Sequence, residues 1–231
     1  MKSIIKKVFY SILLVSLSLL ASCQKDMQKM DDLDLKNFAG LACFNGLSIN
    51  NSLNMKIDEK FFSSEIEDFP SGSYIPYRTI FPGDRTISLQ AKYASSYLFK
   101  GPMKFEANKL YSIFFYGSNK AEYLLSQDEL NLPNNNECKI RVVNLIQDKG
   151  VKFAIRNSSK TENQPLGIEV SEFKTQQLEP LHFTTTLIDK ELPELNFTLN
   201  PINKGIYTIC LYVQINPVDQ QKIYKYALIK Y

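Results

Sequence analysis

Tyr111–Tyr116 reads YSIFFY, and Tyr207–Tyr212 reads YTICLY. The two segments begin 96 residues apart, and each follows an Asn-Lys pair, at Asn108-Lys109 and at Asn203-Lys204. A spacing of about 100 residues is the size of one immunoglobulin-like domain. We therefore expect the chain to contain two copies of one β-sandwich.

Strictly alternating polar and apolar residues support an all-β fold. Thr86–Ala91, Val151–Arg156 and Leu195–Leu199 alternate in this way, which predicts strands that bury one face. Turn residues such as Asn134–Asn136 separate the strands. The only helical prediction is a short turn near Ser126–Leu130. The expected fold is two tandem immunoglobulin-like antiparallel β-sandwich domains after a signal peptide and a flexible tether.

The repeat also sets the predicted domain boundaries. Cys43–Leu47 (CFNGL) and Arg141–Leu145 (RVVNL) look like two versions of an opening strand. We predict a lipoprotein signal peptide at 1–22, an acylated tether at 23–37, a first β-sandwich at 38–127, a linker at 128–136 and a second β-sandwich at 137–231.

The N-terminus has the features of a bacterial export signal. Met1–Lys7 is basic, and Val8–Leu20 is an apolar run of 13 residues, too short to span a bilayer, which takes about 20. The sequence Leu20-Ala21-Ser22-Cys23 resembles the lipobox, whose cysteine receives a diacylglyceryl group. Cys23 is therefore the predicted lipid attachment site. Two or more acyl chains hold a protein stably on a membrane.

The residues after Cys23 predict where the anchor lies. Gln24–Asn37 is polar and charged, and as a flexible tether it could reach about 45 Å. Gln24, Lys25 and Asp26 resemble a short signal that sends some lipoproteins of the Bacteroides phylum to the cell surface. We expect a lipid anchor in the bacterial outer membrane, with the cell surface favoured over the periplasmic face.

Charge and cysteine content narrow the function further. Removing the signal peptide takes three of the 27 Lys and Arg and none of the 24 Asp and Glu, so the remaining formal charge is zero. A nucleic-acid partner is not expected, because it requires a basic face. Cys43, Cys138 and Cys210 remain besides Cys23. They are interpreted as small buried hydrophobic residues, with a Cys138–Cys210 disulfide as the alternative.

Several short motifs occur together in this chain. They are the opening strand Lys139–Leu145 (KIRVVNL), the closing Tyr-Ser/Thr segments at Tyr111 and Tyr207, and Ser73-Tyr74 with Pro82-Gly83. Together they resemble a known family, the domain of unknown function 4397. The resemblance covers most of residues 38–231. It implies tandem domains in an exported lipoprotein, and it brings no catalytic residues.

No catalytic set is evident in the sequence. His182 is the only histidine, and it lacks the motif of a nucleophile. The acidic groups Glu65/Glu67/Asp68 and Glu191/Glu194 lie in charged, loop-like stretches. The aromatic run Leu110–Tyr116 is interpreted as core rather than as a sugar platform. We expect no enzyme activity, no cofactor and no metal site.

Three functions follow, in this order. The first is a non-enzymatic binding or structural module on the cell surface, whose ligand is unknown and whose partner is a glycan or a protein. The second is an assembly or accessory subunit of a surface or fimbrial complex, because exported sandwiches can add strands to each other's edges. The third is a hydrolase that uses carboxylates.

Overall fold

The computed structural model describes residues 35–49, 51–63, 67–188 and 190–231. The predicted signal peptide, lipobox and export signal, with Cys23 among them, lie outside these residues. The described part is almost entirely β-structure, which confirms the all-β prediction. No helix in it is long and apolar enough to cross a membrane.

The first half of the described chain forms strands β1 to β8. They are β1 (Ala39–Leu47), β2 (Leu53–Ile57), β3 (Lys60–Phe61), β4 (Tyr74–Ile80), β5 (Gly83–Ala91), β6 (Tyr97–Phe105), β7 (Leu110–Gly117) and β8 (Ala121–Asp128). One sheet has the order β4-β1-β7-β8 and the other β3-β2-β5-β6. The inward residues of both sheets, such as Leu41, Ile113, Met55 and Ile87, share one core.

The second half forms strands β9 to β18. They are β9 (Glu137–Asn144), β10 (Val151–Arg156), β11 (Thr161–Leu166), β12 (Glu169–Val170), β13 (Lys174–Gln177), β14 (Leu181–Leu187), β15 (Lys190–Glu191), β16 (Phe197–Leu199), β17 (Ile206–Ile215) and β18 (Lys222–Lys230). One sheet runs β12-β9-β17-β18, with β13 also on β9. The other runs β11-β10-β14-β15, with β16 also on β14. These two sheets enclose a second core.

The repeated tyrosine segments form the same element in both halves. The segment of Tyr111 lies in β7, parallel to β1, and the segment of Tyr207 lies in β17, parallel to β9. The Tyr111 hydroxyl accepts a hydrogen bond from the Glu106 backbone N–H at 3.2 Å, and the Tyr207 hydroxyl accepts one from Ile202 at 2.9 Å. A tyrosine that bonds backbone a few residues upstream is the tyrosine corner of immunoglobulin-like sandwiches.

A third core joins the two halves. It is formed by outward residues of β1, β7, β9, β17 and β18 and of the turn after β9, namely Phe44, Phe114, Tyr116, Val143, Leu145, Cys210, Tyr212 and Ile229. Gly46 permits the close approach, because a Cβ at this position would lie 2.4 Å from the Leu145 Cδ1 atom. The inner sheets therefore pack face to face, and Asp34–Tyr231 is a single compact unit.

Two local sequence predictions were wrong. The helical turn near Ser126–Leu130 does not form, because Ser126 and Asp128 continue β8, with Asp128 opposite Leu110. Leu195 ends a 3-10 helix, Pro193–Leu195, and the strand begins only at Phe197. Asp128, placed in the linker by the sequence, is thus the last residue of a strand, and it is buried.

Candidate functional site

The described residues that could have formed a catalytic site are exposed or are engaged in contacts of their own. His182 is exposed on β14, where its Nδ1 atom lies 2.8 Å from the Thr198 Oγ1 atom. Glu67 pairs with Arg78 at 2.7 Å, and Asp68 pairs with Lys92 at 2.9 Å. Glu65 lies outside the described residues. Glu191 and Glu194 are exposed, and no cluster of three metal-ligating side chains occurs in the described ranges.

Cys43, Cys138 and Cys210 are buried and unbonded. The alternative Cys138–Cys210 disulfide does not form, and the interpretation of these cysteines as small hydrophobic residues is confirmed. Burial raises the pKa of each thiol, that of Cys138 to about 11. These thiols are therefore protonated at neutral pH and unreactive.

The aromatic run in β7 is core, as the sequence predicted. Tyr111–Tyr116 is buried along its whole length. Phe115 faces the core of the first half, and Phe114 faces the core between the halves. No ring of this segment is free to stack on a sugar.

A cleft of about 450 Å³ opens where the two halves meet. Both halves and the connection between them build it. The end of β8 contributes Ser126 and Gln127, the connection contributes Glu129, β9 contributes Lys139 and Arg141, and the loop between β12 and β13 contributes Ser171–Phe173.

Arg141, which lines the cleft, forms a buried ion pair with Asp128 of the other half. The Arg141 Nη1 atom lies 2.5 Å from the Asp128 Oδ1 atom, and the two side chains are 2% and 0% exposed. Tyr77 and Ser112 also donate hydrogen bonds to the Asp128 carboxylate, the latter at 2.5 Å. A buried charge is tolerated only when it is paired and hydrogen-bonded. The network meets this condition.

The rest of the Arg141 guanidinium is also engaged. Its Nε atom donates to the Thr208 Oγ1 atom at 2.8 Å, and its Nη2 atom donates to the Tyr231 hydroxyl at 3.0 Å. Its carbon lies 4.5 Å from the centre of the Phe173 ring. Burial opposes the charge, but Tyr231 and Asp128 hold the pKa of Arg141 above its ordinary value. Arg141 therefore has a structural role and has no free N–H for a ligand.

The groups left for a ligand are polar and carry little net charge. Asp128 neutralises Arg141, which leaves Lys139 with Glu129 and Glu172 as the charged lining. Lys139 bonds the Asn131 carbonyl at 2.8 Å, and the Ser171 hydroxyl accepts from the Val142 N–H at 2.9 Å. The half-buried Phe173 ring adds an apolar wall. Such a lining suits a neutral, hydroxyl-rich ligand better than an anion.

The sequence did not predict this site. Its one signal was Arg141, a charged residue inside the apolar run IRVV. A charge in a buried strand requires a partner. The partner, Asp128, lies 13 residues away in what was predicted as linker, so the pairing could not be read from periodicity.

Comparison with known proteins tests the family resemblance. Residues 41–151 match the model of the family described as "Domain of unknown function (DUF4397)". The chain is similar to this family over that segment. The match starts in β1 and ends at the first residue of β10, so the matched segment spans most of the first half and strand β9, including the KIRVVNL motif. No curated protein matches the chain.

Two solved structures show a distant likeness. One is a carbohydrate-binding module of family CBM26 from Eubacterium rectale Amy13K in complex with maltoheptaose, with 8% identity and a TM-score of 0.26 over 84% of this chain and 96% of that one. The other is described as a "putative cell adhesion protein" from Bacteroides uniformis, with 7% identity and a TM-score of 0.21 over 84% and 98%. TM-scores this low do not indicate a shared fold, so neither structure bears on what this protein binds.

Proposed function

We propose that this protein is a lipid-anchored module on the outer face of the outer membrane, and that it binds a neutral glycan without catalysing a reaction. The lipobox and the tether support the anchor. The cleft at the junction of the halves carries the binding proposal, because it offers hydrogen-bond donors, acceptors and one ring in a fixed arrangement. Pockets with a few convergent polar groups are the usual form of a ligand site.

Rigidity supports the binding role. The cleft is lined by both halves, and the third core and the Asp128–Arg141 pair fix those halves relative to each other. A ligand site that is already formed loses little conformational entropy when it binds. The same packing argues against a cleft that opens and closes around a substrate.

A glycan array with the full-length protein in detergent tests the ligand class. A neutral glycan that binds the original protein should bind the Glu172→Gln and Lys139→Gln variants at least about tenfold more weakly. The reason is that a hydrogen bond to a charged group contributes about 1.5–3 kcal/mol. Lys104→Gln, on the exposed side of β6, is the matched control and should bind normally. Equal binding by all three variants, or binding only to proteins, would remove the cleft from the proposal.

The anchor has a separate test. Cys23→Ala should abolish incorporation of an acyl label and leave the precursor uncleaved by the lipoprotein peptidase. Ser22→Ala keeps a small residue beside the cysteine and should be labelled normally. Acyl label on the Cys23→Ala variant would contradict the anchor.

Surface exposure is tested by protease treatment of intact cells, with cells of permeabilised outer membrane as the control. Cleavage on intact cells is expected. Cleavage only after permeabilisation would place the protein on the periplasmic side and make Gln24-Lys25-Asp26 a chance match.

A further inference from the structure

The four sheets protect most of their edge strands from pairing with another chain. Proline interrupts β4, β6 and β11, at Pro76, Pro102 and Pro165. The edges formed by β3, by β12 with β13, and by β15 with β16 consist of strands of two to four residues. Proline and shortness are two ways in which proteins block edge-to-edge association. Among the described strands, only the β8 and β18 edges lack both.

The strands β8 and β18 are equivalent in the two halves. β8 has eight residues and β18 has nine, and each pairs antiparallel with the strand of the tyrosine repeat. Tyr123 lies opposite the fifth residue of YSIFFY, and Tyr226 lies opposite the fifth residue of YTICLY. Leu125 and Leu228 lie opposite the third residues. Both edges therefore present the pattern Tyr-x-Leu in the same register.

These side chains are apolar and partly exposed. Tyr123 and Leu125 are 37% and 39% exposed, and Tyr226 and Leu228 are 38% and 42% exposed. Each tyrosine is held by a ring from the opposite sheet. For Tyr226 this ring is Phe197, with centroids 3.8 Å apart. An ordered apolar pair beside an unpaired backbone edge provides the side-chain and main-chain contacts that strand addition requires.

The two edges differ in charge. Glu122 lies near the start of β8 and Glu129 directly follows its end, whereas Lys222, Lys225 and Lys230 lie on β18, where Lys222 also pairs with Asp148 at 2.5 Å. Pairing β18 with a second β18 would place two basic strands side by side, and pairing β8 with a second β8 would place two acidic strands side by side. Pairing β8 with β18 instead places an acidic strand beside a basic one, and opposite charges across strands stabilise a sheet.

We propose that β8 of one copy pairs antiparallel with β18 of a second copy, so that the inner sheet of one molecule continues into the next. With Leu125 opposite Tyr226, the same register places Tyr123 opposite Leu228 and Glu129 opposite Lys222. Both apolar pairs then fall on one face, as a continuous sheet requires. The proposal goes beyond glycan binding and does not depend on the lipid anchor.

This contact is head-to-tail. Each molecule offers one β8 and one β18, so both edges of the joined pair stay open to further copies. Such heterologous contacts form rings or open filaments. The full-length protein in detergent should therefore show a size that rises with concentration in sedimentation velocity.

Two equivalent substitutions test the contact. Leu125→Lys blocks β8 and Leu228→Lys blocks β18, at positions of similar exposure. Each variant alone should be monomeric, because it lacks one of the two partners. An equal mixture should form a 1:1 dimer that does not grow, through the intact β18 of one variant and the intact β8 of the other. Tyr97→Lys, on the proline-interrupted β6, should assemble like the original protein.

Crosslinking in intact cells detects the contact even when the association is weak. Two tagged copies, one with Leu125→Cys and one with Tyr226→Cys, should form a mixed disulfide on mild oxidation, and neither should link to itself. A protein that is monomeric at every concentration and gives no mixed disulfide would overturn the proposal. Dimerisation of Leu228→Lys alone would replace it with β8–β8 pairing. Normal glycan binding by both lysine variants would keep the cleft proposal intact in either case.

Discussion

At the residue scale, the buried pair of Arg141 and Asp128 depends on a difference between the repeats. Ala42 lies opposite Ser112 in β7, and Arg141 lies opposite Thr208 in β17, so Ala42 and Arg141 occupy equivalent positions. The small Ala42 leaves space on the facing sheet, and the Arg141 Nη2 atom reaches to 3.5 Å from the Ser112 hydroxyl. The second half thus provides the cation, Arg141. The first half provides the space beside Ala42 and the carboxylate of Asp128.

Removing the charge of Asp128 should be costly. We expect Asp128→Asn to lower the free energy of unfolding by about 3–5 kcal/mol, because it leaves the Arg141 charge buried and uncompensated. Asp58→Asn is the matched control, since Asp58 pairs with Arg85 at 3.0 Å on the surface, and it should cost about 1 kcal/mol or less. Urea unfolding followed by circular dichroism measures both. Equal costs would mean that the buried pair adds nothing beyond a surface contact.

The three buried thiols predict a loss of stability in alkali. Burial raises the pKa values of Cys43, Cys138 and Cys210 in the folded protein. In the unfolded chain, a thiol has a pKa of about 8.5. The folded state therefore keeps protons that the unfolded state loses as the pH rises. Stability should be unaffected below that pH and should fall above it, by about 1.4 kcal/mol per pH unit for each thiol.

Urea midpoints measured between pH 7 and 11 test this trend, with Cys138→Ala as the comparison. The variant loses one of three titrating thiols, the one whose folded pKa is about 11. The slope of its free energy of unfolding against pH should therefore be about a third smaller than that of the original protein. Buried tyrosines add to the loss at higher pH, because burial also raises the pKa of Tyr77. A flat profile up to pH 10 would show that the thiols titrate normally in the folded state.

At the element scale, the tyrosine corners should contribute equally in the two halves. Tyr111→Phe and Tyr207→Phe each remove one hydroxyl that accepts a backbone hydrogen bond, from Glu106 and from Ile202. Each should lower the free energy of unfolding by about 1 kcal/mol. Tyr93→Phe, at an exposed turn, is the control and should have no effect. A cost at only one of the two corners would show that the repeats do not share this stabilising contact.

The sequence predicted the strands well and their partners poorly. Val151–Arg156 is β10 to the residue, and Thr86–Ala91 lies within β5, because alternation records which face is buried. Ser126–Asp128 was misassigned because its polar side chains resemble a turn, and their partner Arg141 comes from the other half. Periodicity reports burial but does not identify the residue across an interface.

At the scale of the whole molecule, the two halves are held together more by their shared core than by the connecting segment. The sequence predicted a linker at 128–136, which includes the polar stretch Leu132–Asn136. However, Phe44 packs against Tyr212 with ring centroids 5.6 Å apart, and the Ile215 N–H bonds the Ser48 carbonyl at 2.8 Å. A hinge motion would have to expose this core and separate Arg141 from Asp128.

The two halves should therefore unfold together. We expect a single transition in scanning calorimetry, with the van't Hoff enthalpy equal to the calorimetric enthalpy, because neither half can unfold without uncovering the third core. Leu145→Asp places a charge in that core and should split the transition in two, since each half keeps its own core. Leu181→Ala removes side-chain volume from the core of the second half alone. It should lower the free energy of unfolding by about 2–5 kcal/mol, which lowers the midpoint temperature, and it should keep a single transition. Two transitions in the original protein would mean that the halves are independent, and a cleft lined by both could not then be rigid.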